Sequence, residues 1–121
     1  MKIEIPMKLP SLNEYINACK NNRFFGGNMK KQVEDDISWY LRKMPMYEVP
    51  IKIKFTWIEK NRKRDLDNVC FAKKFILDAM QKCGKISNDN PKYVRGFEDK
   101  FEYGDDYKVI VEIEDVEWCK W

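Results

Sequence analysis

A chain of 121 residues with 14% aromatic side chains is the size of one domain, with enough bulky apolar material for a real core and none to spare for a second domain. It contains no histidine, and its four cysteines, Cys19, Cys70, Cys83 and Cys119, show no Cys-x-x-Cys spacing, which excludes the usual zinc centres and histidine-dependent nucleophiles and leaves oxygen ligands for any metal chemistry. A formal net charge of +3 does not by itself indicate a polyanionic partner.

The first element is a strand over residues 1–7, ending before Pro10. Its alternation, Met1-Lys2-Ile3-Glu4-Ile5, stands where a signal peptide would carry an apolar block, and no apolar run is long enough to cross a bilayer, so a cytoplasmic chain is expected, with Cys70 and Cys83 as buried free thiols. Ser11-Leu12-Asn13-Glu14 has the spacing of a capping box and predicts a helix in which Leu12, Tyr15, Ile16 and Cys19 recur on one face. Asn21 to Gly27 breaks that pattern and reads as a mobile loop. A second helix is predicted from about Met29 to Met44, with Val33, Ile37, Tyr40, Leu41 and Met44 as its apolar stripe and Pro45 as its stop.

Ile51, Ile53, Phe55 and Trp57 alternate with Lys52, Lys54 and Thr56, the strongest strand signal in the chain. The strand delivers the backbone to Lys60-Asn61-Arg62-Lys63-Arg64-Asp65-Leu66-Asp67-Asn68, a basic run that turns into two aspartates one residue apart. On an extended backbone Asp65 and Asp67 leave the same side, offering a hard divalent cation two carboxylates, while Lys60, Arg62, Lys63 and Arg64 neutralise nucleic-acid phosphates beside it. A plainer reading stands next to this one, with Asp67 as the N-cap of the next helix and the basic run as a solvated loop.

Residues 66–83 read as one helix, apolar over most of its circumference, which calls for cover on more than one side, by a sheet and by a second subunit. Positions 67, 74, 78 and 81 share a narrow arc, so Lys74 faces the same way as Asp67, either as a functional cation or as an exposed i,i+4 partner of Asp78; Lys73 points into the apolar arc with no evident partner. Gly84 is placed to end the helix, and Ile86 to Pro91 forms a turn containing Asp89, a third carboxylate or an ordinary turn residue. Two last strands, about 93–103 and 107–114, joined through Gly104-Asp105-Asp106, predict a hairpin. The Trp118-Cys119-Lys120-Trp121 tail has no assigned role. Lys20, Arg23, Lys30 and Lys31 join the basic run in the first half, and Glu102, Asp105, Asp106, Glu112, Glu114, Asp115 and Glu117 crowd the end, which predicts one basic and one acidic face. The elements together describe a single α+β domain, a mixed sheet of about four strands with two to three helices packed on it.

Pro10-Ser11-Leu12-Asn13-Glu14-Tyr15, then Arg64-Asp65-Leu66-Asp67-Asn68, then Leu77-Asp78-Ala79-Met80, Gly84 and Asn88-Asp89, in this order, resemble the RusA family of Holliday junction resolvases over most of the chain. The resemblance implies a Mg²⁺-dependent endodeoxyribonuclease, acting as a homodimer on four-way DNA junctions by paired symmetric nicks. It assigns Asp65, Asp67 and Asp89 to Mg²⁺ and, counting back from Asp78, Lys74 to an assisting role. Arg64 matches a basic family position, and Lys60, Arg62, Lys63, Lys30 and Lys31 complete the candidate DNA contacts. The helix between the Asp pair and Asp78 is about one turn longer than the family pattern, and Asn88 stands where an aspartate is often found. Two other classes are compatible with the residues: a non-catalytic DNA-binding protein with the same basic surface, and a Mg²⁺-dependent enzyme acting on nucleotides or nucleotide-sugars, for which no Gly-rich phosphate loop is present.

Overall fold

The computed structural model describes residues 1–116 apart from the side chain of Arg23; Glu117 and the Trp118-Cys119-Lys120-Trp121 tail lie outside the described residues. The chain runs β1 (Lys2–Ile5), α1 (Leu12–Asn21), α2 (Arg23–Leu41), β2 (Ile51–Glu59), α3 (Leu66–Cys70), α4 (Lys73–Lys82), β3 (Val94–Tyr103) and β4 (Lys108–Asp115). This is the expected α+β domain, with a four-stranded mixed sheet in the order β1-β4-β2-β3. No helix among the described residues is long and apolar enough to cross a membrane.

The sheet is built around β2, whose inward side chains Ile51, Ile53, Phe55 and Trp57 are all buried. β3 lies parallel to one edge of it and β4 antiparallel to the other. The two last strands therefore do not form the predicted hairpin. A strand as apolar as β2 needs a neighbour on each side, and two interstrand spacings are only about 10 Å, a distance that the 104–107 link can span. The Gly104 amide donates to the Glu59 carbonyl (3.0 Å) as the link passes the end of β2. The parallel pairing of β2 with β3 is closed by the α3–α4 crossover, as parallel strands require. Val109, Val111 and Ile113 of β4 and Ile3 and Ile5 of β1 complete the inward face. The outward face mixes both signs of charge, with Lys54 4.0 Å from Glu112 and Lys108 3.7 Å from Glu4, so Glu112 of the acidic end is set among lysines.

At the α1 N-terminus, the Ser11 hydroxyl accepts from the Glu14 amide and donates to Glu14 Oε1, both at 3.2 Å, so the capping box forms. The segment from Asn21 to Gly27 is not a loop. Asn22 caps α2 by accepting from the Phe24 amide (2.7 Å), and Gly26 packs against α1 so closely that a Cβ there would stand 2.3 Å from Cys19 Sγ. Gly26, one of the two glycines that break the sequence pattern, thus permits helix contact. Val33, Ile37, Leu41 and Met44 are buried as the α2 stripe predicts.

The single helix predicted over 66–83 is two. At Phe71 and Ala72 the bonds tighten to i→i+3, with Ala72 N to Val69 O (3.2 Å), Lys74 N to Phe71 O (3.0 Å) and Phe75 N to Ala72 O (3.0 Å). Such a turn resets the helical phase. Val69, Ala72, Phe75, Ile76, Leu77, Ala79 and Met80 are all buried within one chain, and Phe71 and Phe75 pack edge to face beside Tyr15. No second subunit is needed to cover this segment, which removes that argument for a dimer. α4 ends in a Schellman motif: Gly84, at φ 73°, donates to Gln81 O (3.0 Å) and Lys85 donates to Met80 O (2.8 Å).

Candidate nucleic-acid and metal site

Asp65 occupies the N-cap position of α3 in extended conformation (φ −66°, ψ 148°), yet its side chain makes no capping bond. Asp67 lies inside the first helical turn, where its Oδ1 accepts from the adjacent Asn68 amide (3.0 Å). The reading of Asp67 as the cap is therefore wrong, and so is the premise that the pair shares one extended segment. Both aspartates are exposed at the strand-to-helix turn, beside the positive end of a short helix.

What fixes this turn is Arg64. Its Nε and Nη2 donate to the two carboxylate oxygens of Glu59, both at 2.8 Å, and its Nη1 donates to the Leu9 carbonyl (2.8 Å) and reaches Glu14 Oε1 (3.4 Å). The forked pair is largely dry, with side chains 15% and 10% exposed, and the Glu59 bonds drive the guanidinium pKa still higher. Fork-to-fork geometry of this kind fixes orientation as well as charge. One guanidinium thus ties the end of β2, the approach to α1 and the α1 capping box to the residue before Asp65. Arg64 therefore acts as a strut between these elements. Glu59 was legible as a site residue, since it continues the inward alternation 51, 53, 55, 57 and an acid there must find a cation.

Lys60, Arg62 and Lys63 remain exposed on the same loop. Asn61 Oδ1 accepts from the Lys63 amide (3.0 Å), and Arg62 lies over the Tyr103 ring at 5.1 Å. Lys30 is committed elsewhere: its ammonium stands 3.1 Å from Asp78 Oδ2 and 3.4 Å from Glu34 Oε2, buried oxygens that lack another hydrogen bond, and the bond to Asp78 raises its pKa. Lys30 therefore seals the α2–α4 seam, whereas Lys31 is exposed. Lys74 pairs with Asp78 (3.2 Å) and its side chain is 54% exposed. Lys73 does find a partner inside the apolar arc. Its ammonium binds Asp99 Oδ2, whose Oδ1 accepts from Trp57 Nε1 (2.9 Å), and it stands 5.0 Å from the centre of the Phe97 ring.

Asp89 is half-buried in the turn that the Asn88 and Asn90 side chains brace by accepting from the Asn90 and Lys92 amides, both at 2.9 Å. Among the described residues no group of three Asp, Glu or Cys side chains is close enough together to hold a metal ion. In this structure Asp65, Asp67 and Asp89 are thus not gathered into one such group. The Asp pair still offers Mg²⁺ the right donors, because that ion takes one or two carboxylates and keeps water and substrate phosphate as its other ligands. Near the pair, the Cys70 thiol is pushed up in pKa by burial and then by Asp99, which leaves it a weak nucleophile.

No protein-family model matches the chain, and a search of curated proteins returns no match.

Proposed function

We propose that this protein is a Mg²⁺-dependent endodeoxyribonuclease that resolves four-way DNA junctions by paired nicks in recombination and repair, working in the cytoplasm as a homodimer. The observation that carries the proposal is the exposed Asp65–Asp67 pair, free of capping duty at a turn that Arg64 and Glu59 hold rigid. It agrees with the resemblance to the RusA family. Asp65 and Asp67 would bind Mg²⁺, which when bound supplies charge neutralisation at the scissile phosphate. Lys60, Arg62 and Lys63 would seat the strand, Arg64 would hold Asp65 in place, and Lys74 would offer a solvent-accessible cation. Paired nicks need two such sites related by a two-fold axis.

A second reading, a DNA-binding protein without catalysis, draws support from one observation: Asp89 does not join the pair in a three-donor group. Binding in Ca²⁺ tests what the two readings share and where they part. Affinity for a four-way junction is expected to fall with salt, Lys60, Arg62 and Lys63 together contributing a log–log slope of about −2.7 per chain. Preference for the junction over linear duplex should persist when arm sequences change, since phosphate contacts and branch shape carry no base identity. Equal affinity for junction and duplex would remove structure-selective recognition and leave generic DNA binding.

A further inference from the structure

We infer that β3 is the edge through which two copies of this chain join, antiparallel about Asp99. β3 is ten residues long, and its only sheet partner among the described residues is β2, so among those residues no strand pairs with the other side of its 97–102 stretch, an edge open to pairing. Charges often protect such an edge, and Glu98, Asp99, Lys100 and Glu102 do lie on it. Phe97 and Tyr103, 47% and 48% exposed, are not what a protected edge keeps.

The order of side chains specifies one self-pairing. Antiparallel partners share a sheet face, so the register must be centred on a residue. Centred on Asp99, it places Glu98 opposite the second copy's Lys100 and Phe97 opposite its Phe101, and the two-fold axis repeats each pair. Moving the centre by one residue sets Glu98 against Glu98 or Lys100 against Lys100. Asp99 meets its own copy at the centre, but each carboxylate is already held by Lys73 and Trp57 of its own chain, so the close approach brings together neutralised groups. The occupant is a second copy because the complementarity of Glu98 with Lys100 and of Phe97 with Phe101 closes on itself.

Sedimentation velocity of the full chain, under reducing conditions across the micromolar range, tests the interface without any assay of DNA. The wild type is expected to reach twice the 14.6 kDa chain mass. Lys100→Glu should weaken association by about tenfold or more, because two cross-strand attractions become repulsions, and Glu98→Lys with Lys100→Glu should restore it. A monomer at every concentration overturns the inference, as does a dimer indifferent to Lys100→Glu or a folded double variant that fails to recover. Should the double variant not fold, since position 98 lies beside Lys54, carbodiimide cross-linking of mixed light and isotopically heavy wild-type chains decides. A heavy–light peptide joining Glu98 to Lys100 is expected, and a dimer lacking it overturns the register.

Discussion

Replacing Arg64 by alanine is expected to destabilise the fold by about 3 kcal/mol, the lower end of the cost of leaving a buried ion-pair partner alone. Calorimetry or urea unfolding should show it, the melting temperature falling by roughly 10 °C. The loss has two parts. Glu59, only 10% exposed in its side chain, keeps a charge with no cation, and the Leu9 carbonyl loses its donor. Arg64→Lys should recover less than half, because one ammonium cannot place parallel bonds on both Glu59 oxygens. Were Arg64 chiefly a phosphate contact, the outcome would be the reverse: unchanged melting, with weaker junction binding and a shallower salt slope.

The largest functional effect is expected at the Asp pair. Asp65→Asn and Asp67→Asn should each slow nicking of a four-way junction by about a thousandfold, the scale on which loss of one charge-stabilising group acts. Junction affinity in Ca²⁺ should hold, because the basic loop is untouched. Melting should hold as well, since neither carboxylate caps the helix or bridges elements. Asp89→Asn is expected to cost less, as Asp89 forms no three-donor group with the pair. Gel-resolved single-turnover cleavage measures all three. An Asp67→Asn protein that nicks at the wild-type rate removes Asp67 from the site.

The parts of the fold legible in the sequence are those set by local periodicity and end chemistry. The alternation of β2, the Ser11–Glu14 box and the Gly84 stop all occur as predicted, because each is decided by a few adjacent residues. The errors share a different cause. Gly26 reads as a loop residue in isolation and is a packing residue once Cys19 of another helix is opposite it. The break at Phe71–Ala72 carries no Pro or Gly, and its reason, burying both halves of an apolar segment inside one chain, is tertiary. Strand order was hidden for the same reason: a short link between two strands signals a hairpin unless a more apolar strand competes for the place between them. At the candidate site, Asp65 and Asp67 were visible as a motif. Long-range partners decided the cations: Arg64 is taken by Glu59, Lys30 by Asp78 and Glu34, and Lys73 by Asp99. Charge counting cannot separate a cation that is spoken for from one that is free.

The measurement that bears most directly on the proposed activity is incubation of the wild-type chain with a synthetic four-way junction, in Mg²⁺ and in excess chelator, with products resolved on a denaturing gel. Paired nicks at symmetric positions in opposed strands are expected in Mg²⁺, none with chelator, and none on a linear duplex of the same sequence. An intact junction in Mg²⁺, under conditions where the same protein is seen to bind it, would contradict the nuclease and establish the DNA-binding reading in its place.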